Sequence, residues 1–319
     1  QVKGTVGVPD AKGAPISVNL QYIRLPAADP KVVTDENAPD PLVTVDPTKI
    51  PALDITINQL FLGQDLVGGW SMKIRPTAKG IALNTLDMGL KGILLQGNGG
   101  WEGVPGNSSS WYKGRISGKN LADVLKGWGF APSVTSEKFH LDVDGRWPGS
   151  PAWLASKRFS GTLDATLTKG EIVEVDASAQ ALKVFGLLNF NSIGRRLRLD
   201  FSDLFGKGLS YDQVKGVLVG TNGVYVTREP IRMTGPSTNL ELNGTLNLVG
   251  DQIDAKLLVS LPVATNLPIA ALIVGAPAVG GALFLIDKLM GDRMARFASV
   301  QYNVKGPWKD PKITFDKPF

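Results

Sequence analysis

The 319-residue chain contains no cysteine and a single histidine, His140. The first absence excludes thiol nucleophiles, thiolate metal sites and disulfides, while leaving the compartment open. The second excludes zinc sites built from several imidazoles. No Gly-x-Ser-x-Gly elbow accompanies the lone histidine, so a serine hydrolase has no support. No block of like charge is present: 34 basic and 29 acidic residues are scattered along the chain for a net charge of +5. That balance fits attraction to anionic phosphate groups but lacks the clustered footprint of a nucleic-acid binder, and no nucleic-acid partner is expected. No basic and apolar leader follows Gln1, so the chain reads as a mature or excised fragment.

What is abundant points to strands. Thirty-seven glycines and 21 prolines, with frequent Val and Thr and 43% hydrophobic residues, suit many short strands joined by turns around a sizeable core. Alternating segments are expected at Ile16 to Tyr22, Leu53 to Leu62, Gly69 to Arg75 and Ile81 to Leu95, with an exposed proline-rich loop at residues 26–51. Asn120 is placed to cap a short helix over Leu121 to Lys126, ended by Gly127 and Gly129. Phe139, Leu141 and Val143 then alternate with His140, Asp142 and Asp144, as in a half-buried strand. Leu163, Ala165 and Leu167 resume the pattern, and spacing near Ala181 turns helical.

The strongest hairpin signal is Val214 to Val219, Asn222-Gly223, then Val224 to Thr227, because Asn-Gly favours the left-handed conformations of tight turns. Beyond it Leu240, Leu242, Leu246 and Leu248 share one face, opposed by Glu241, Asn243, Thr245 and Asn247. Across a turn at Gly250-Asp251, Ile253, Ala255, Leu257, Val259 and Leu261 continue the apolar face. A sheet with one such face must cover it, curl on itself or offer it to a ligand.

No charge occurs from Leu257 to Ile286, and Leu267 to Ile286 is apolar enough for lipid contact. Pro262, Pro268 and Pro277 interrupt the run, so two short helices are expected, about Ile269 to Val274 and Ala278 to Met290. Three readings fit this broken element: a plug or gate at a groove end, insertion into a bilayer surface, or packing on the sheet. Its exposed candidates for the first two are Ile269, Leu272, Ile273, Val279, Leu283, Phe284 and Leu285. Lys288, Arg293 and Arg296 follow it and, with Arg195 and Arg196, are candidates for lipid phosphate; Arg198 completes that basic stretch. A solvated face explains such charges equally simply.

Other constellations carry less. The Gly97-Asn-Gly-Gly stretch fits neither dinucleotide nor Walker spacing. His140 beside Asp142 and Asp144 has the residue types of acid–base chemistry but also those of a wet strand face. Trp101, Trp111, Trp128, Trp147 and Trp153 could stack on sugars, although tryptophan is equally at home on sheet rims.

Several blocks resemble the C-terminal region of the AsmA-like envelope proteins: FHLDVDGRWPGSPAWL (Phe139 to Leu154), SGTLDATLTKGEIVEVD ending at Asp176, GLLNFNSIGRRLRLDFSDLFGKGLSYDQVKG (Gly186 to Gly216), and Leu261 to Pro307. The likeness is strongest from about Ser117 to Pro311. It implies a mostly β fold, a long curled antiparallel sheet forming an open, taco-like hydrophobic groove with a few short helices. Its expected parts are a groove segment at 1–118, a second at 119–262, the apolar helical element at 263–297 and terminal strands at 298–319. It also implies a non-enzymatic phospholipid conduit in the Gram-negative periplasm, without cofactor or metal. The outer membrane is the favoured contact, and the inner-membrane anchor lies outside this fragment. On that reading Leu163 and Leu167, Val217 and Val219, and Val224 and Val226 line the groove. So do Leu240, Leu242, Leu246, Leu248, Ile253, Leu257, Val259 and Leu261. A structural scaffold whose apolar face is closed by its own helices is the alternative, and a glycan-binding β domain the third reading.

Overall fold

The computed structural model describes residues 1–11, 13–26, 38–173, 208–236, 238–262, 297–308 and 310–318. Fifteen strands are present among them: β1 (Val2–Gly7), β2 (Ile16–Leu25), β3 (Leu53–Leu62), β4 (Asp65–Thr77), β5 (Gly80–Leu90), β6 (Ile93–Val104), β7 (Asn107–Lys119) and β8 (Lys138–Pro148). The series continues with β9 (Ser160–Val173), β10 (Gly208–Thr221), β11 (Val224–Thr234), β12 (Asn239–Asn247), β13 (Gln252–Pro262), β14 (Phe297–Pro307) and β15 (Lys312–Pro318). Each strand hydrogen-bonds to the next in chain order, from β1 at one edge to β15 at the other, so the sheet is not closed. The expected β class is therefore met. The described chain divides into two compact units, one holding β1 to β7 with His140–Leu163 and Gly220–Gly223, the other Asn120–Phe139, Asp164–Val219 and Val224–Phe319.

The sheet is not antiparallel throughout: β2 and β3 run parallel, with Ile16 opposite Leu53 and Leu25 opposite Leu62. The long connection between them carries the chain back to the end where β2 began, and only a crossover of that length permits parallel pairing. Part of that connection is not the exposed loop expected. Asp40, Pro47 and Ala52 are buried, and a 3-10 turn at Pro47–Lys49, started by Asp46 accepting from the Thr48 amide, packs against β4, β5 and β6. The stretch Ile81 to Leu95 is also two strands, because Lys91 and Gly92 take the left-handed conformation of a tight turn.

The Asn222-Gly223 hairpin forms as expected, with φ of 47° and 79° at its two central residues. One helix is present among the described residues, α1 (Leu121–Gly127). Its N-terminal residue departs from expectation: Asn120 makes no side-chain cap but sits in the left-handed region, and its carbonyl accepts from Asp123 and Val124. The C-terminus closes as the glycines suggested, with Gly129 at positive φ, its amide donating to Lys126 and that of Phe130 to Leu125. The helices expected near Ala181 and over Ile269 to Met290 lie outside the described residues. On either side of the latter, β13 and β14 are paired as far as Pro262 and Phe297.

Candidate functional site

Directly opposed residues in a ladder share a face, so the pairing registers define which side chains stand together. In the first unit one row runs Leu20, Ile57, Trp70, Met88, Leu95, Ile116 across six consecutive strands. Val18, Ile55, Met72 and Leu86 form a parallel row, continued by Gly97 and Gly114, and Ile23, Leu60, Leu90 and Ile93 form a third. Ile57, Leu60 and Val67 make the buried centre, with Leu20, Ile23, Ile55, Leu62, Trp70 and Leu90 half-buried against it. The opposite face is polar and paired. Arg115 holds Asp142 through two hydrogen bonds of 2.7 Å, Lys113 meets Asp144 at 2.8 Å, Arg75 meets Asp54 at 2.6 Å, and Gln96 donates to Asp87.

The second unit repeats the plan. Met233, Leu240, Val259 and Val300 form one row; Ile231, Leu242, Leu257, Tyr302 and Phe315 form the next, ending in an edge-on ring contact between Tyr302 and Phe315. Tyr225, Leu246 and Ile253 form another. Burial pushes the Tyr225 phenol up to about 12, so it stays uncharged well into the alkaline range. Arg232 with Glu241, Lys305 with Asp254 and Lys256 with Asp316 pair on the other side.

The structure brings six of the fourteen anticipated lining residues onto one face. Leu240, Leu242, Leu246, Ile253, Leu257 and Val259 share the apolar face. Leu257 and Val259 are only 3% and 2% exposed, while Leu240, Leu242 and Leu246 are half-buried. Leu248 is buried just beyond the end of β12, and Leu261 continues β13 opposite Ala298. Leu163 and Leu167 are half-buried on β9; on β10 Val217 is buried and Val219 is 37% exposed. Val224 and Val226 fall on the other side, facing Asn247 and Thr245, with Val226 46% exposed. The alternation Val-Tyr-Val is apolar on both faces, and Tyr225 opposite Leu246 takes the inner one. Residues 195, 196, 198, 269, 272, 273, 279, 283, 284, 285, 288, 293 and 296, the gate and headgroup candidates, lie outside the described residues.

The discounted constellations find structural uses. Asp142 is held below the usual carboxylate range by its hydrogen bonds to Arg115, leaving it an ion-pair partner rather than a base beside His140. Gly97 to Gly100 lie within β6, where a side chain on Gly97 would meet the Lys113 carbonyl at 2.4 Å. Trp101 and Trp147 are buried, donating to Ser108 and to the Ser150 carbonyl, while Trp153 donates to the Ala38 carbonyl beneath the Arg158 guanidinium. These indoles present no shared stacking surface. Among the described residues no three side chains are grouped to hold a metal, and no helix is long and apolar enough to cross a membrane.

The apolar rows of β2 to β7, absent from the sequence expectations, are the main addition. At about 4.8 Å per strand, six strands span about 24 Å, longer than the half-thickness of a bilayer core of about 30 Å.

A sheet built by adding each strand beside the last, apolar on one face and ion-paired on the other, defines an open-edged, mostly β class of protein. The family described as YhdP protein matches residues 1–313, and the chain belongs to that family, an AsmA-like group. It is 27% identical over 219 residues to the intermembrane phospholipid transporter YhdP of Escherichia coli strain K12, a match covering 69% of this chain and 17% of that protein. The chain thus spans a small part of the length of the curated relative it matches. No solved structure matches it.

Proposed function

We propose that this chain is a segment of a non-enzymatic phospholipid conduit between the inner and outer membranes of a Gram-negative envelope. The apolar sheet faces carry the acyl chains, and the ion-paired faces stay in periplasmic water. The observation that supports it is the unbroken apolar row from Leu20 to Ile116 across β2 to β7, flanked by two rows interrupted only by glycines, in a member of the YhdP family. Moving a bare sixteen-carbon tail through water costs about 0.8 kcal/mol per methylene, on the order of 12 kcal/mol, and a continuous apolar wall removes most of that barrier. Such a wall needs no catalytic group. In this reading the segment is the distal part of the whole protein, nearer the outer membrane, and its anchor lies elsewhere in the longer chain. Residues 263–296, joining adjacent strands, supply the gate or membrane contact. Arg195, Arg196, Lys288, Arg293 and Arg296 meet headgroups.

Native mass spectrometry of the gently purified chain should show bound phospholipid, and delipidated protein should take up labelled phospholipid from vesicles. A folded chain that does neither overturns the proposal. A closed scaffold is the second reading, favoured by the withdrawal of Leu257 and Val259 from water. It predicts no lipid uptake at either face.

A further inference from the structure

The connection between β2 and β3 ends in a segment, residues 38–52, that crosses from β3 to the turn after β8. At its far end Asp40 is clasped from a distance of 110 residues along the chain: one carboxylate oxygen accepts from the Ser150 amide at 2.7 Å and the other from the Ser150 hydroxyl at 2.6 Å. Trp153 donates to the Ala38 carbonyl at 2.8 Å, and Gly106 donates to the Val43 carbonyl at 2.8 Å. At its near end the Ala52 carbonyl accepts from the Ile16 amide, where the segment runs into β3. The segment therefore has a fixed end and a latched end.

Its middle is held as well: Pro47 is fully buried in the turn that packs on β4 to β6, and Ala52 is buried at the β3 end. Pro41, Leu42, Val43, Thr44, Thr48, Lys49 and Pro51 are exposed. Segments with few buried apolar contacts open at a lower free energy than the sheet they rest on, so the carboxylate latch and the Pro47 turn together set the opening equilibrium. Beneath lies one end of the apolar face. Trp101, opposite Ile81 and Ser110, is 3% exposed and Ser110 is 1% exposed. The Pro47–Lys49 turn packs on β4 to β6, while Gly149 exchanges hydrogen bonds with Ser108 and Ser110 beside the latch. A side chain on Gly149 would meet Asp40 at 2.6 Å, so the latch and this turn close on each other without spare room.

We infer that residues 38–52 are a strap that swings about its β3 end when the Asp40–Ser150 latch releases, uncovering the Trp101 end of the apolar face as a side entrance for an acyl chain. The acyl occupant rests on the conduit reading; the opening itself does not.

The chain has no cysteine, so Ser110→Cys supplies a unique thiol at the buried end of the face, beneath the Gly149 turn that the latch grips. Asp40→Asn keeps the shape of the side chain but turns one acceptor into a donor facing Ser150. In the Ser110→Cys background it should speed maleimide labelling about 10- to 100-fold, the range expected from losing a hydrogen bond to a charged group. Hydrogen exchange at Gly106 and Ser150 should rise alongside, while amides in the middle of β3 and β4 keep their protection. Ser150→Ala, which deletes one of the two latch bonds, should give a smaller increase in the same direction. Unchanged labelling in both variants overturns the strap, and so does acceleration that appears only together with loss of protection across β3 and β4. Delipidated Asp40→Asn protein should take up labelled phospholipid faster than the parent. Faster labelling without faster uptake overturns the side entrance and leaves the conduit reading to its own lipid-binding test.

Discussion

Leu95 is the fifth of six residues in the first unit's longest apolar row, with Met88 on one side and Ile116 on the other. If acyl chains lie along that row, Leu95→Asp places a hydrated charge in their path. The carboxylate and its water displace contact with about three methylenes, each worth about 0.8 kcal/mol, raising the barrier by about 2.4 kcal/mol and slowing transfer roughly 50-fold. Leu95 is half-buried rather than enclosed, so the charge keeps access to water and the sheet should survive. Asn98→Asp is the matched control: the same strand and charge, but opposite Lys113 on the polar face. Transfer of a fluorescent phospholipid between donor and acceptor vesicles gives the rate, and urea unfolding with far-ultraviolet circular dichroism checks the fold. A folded Leu95→Asp protein moving lipid at the parental rate would refute the assignment of this row as the path.

Gly223→Ala should destabilise the protein by about 1–3 kcal/mol, because φ is 79° there and the new methyl would come within 2.6 Å of the Lys157 carbonyl; the urea midpoint measures it. Burial raises the Asp40 pKa, but the Ser150 hydroxyl, the Leu42 and Ser150 amides and nearby Arg158 outweigh it and set the carboxyl below its ordinary value. The latch's contribution is therefore fully present above the ordinary carboxylate range and is lost as pH falls through the lowered folded-state pKa, so the protection factor of the Ser150 amide, taken against the intrinsic exchange rate at each pH, should fall on acidification in the parent and not in Asp40→Asn.

The β12–β13 hairpin was legible because its ladder is regular. From Asn239 to Ser260 the β12–β13 register runs without a shift, so simple alternation assigns every face correctly. The first half is harder for a specific reason. Register shifts between Ile57 and Leu60, and between Leu83 and Leu86, change the phase of the alternation within a strand, and glycines at Gly68, Gly97 and Gly114 occupy apolar-face positions without an apolar side chain to mark them. Read with those shifts, Ile55, Ile57 and Leu60 or Leu86, Met88 and Leu90 do declare one face. The parallel β2–β3 pairing has no local signature, since it depends on where a long connection returns the chain.

The site was legible in composition but not in what covers it. An apolar sheet face destined for a core and one destined for cargo obey the same period-two rule, which is why the sequence leaves conduit and scaffold both open. Covering comes from segments far along the chain. Nothing in the pattern of Trp101 or Ser110 foretells that a carboxylate reached through the β2–β3 connection will close over their end of the sheet. Both units mix the two kinds of position: Ile57, Leu60, Leu257 and Val259 are withdrawn from water as core residues are, whereas Trp70, Met88, Leu95, Ile116, Leu240, Leu242 and Leu246 remain half-buried. Cargo should therefore meet the half-buried positions more readily than the enclosed ones. A lipid crosslinker incorporated at Met88 should capture more phospholipid than one at Leu257, and the reverse ratio would assign the half-buried positions to packing and the enclosed ones to transport.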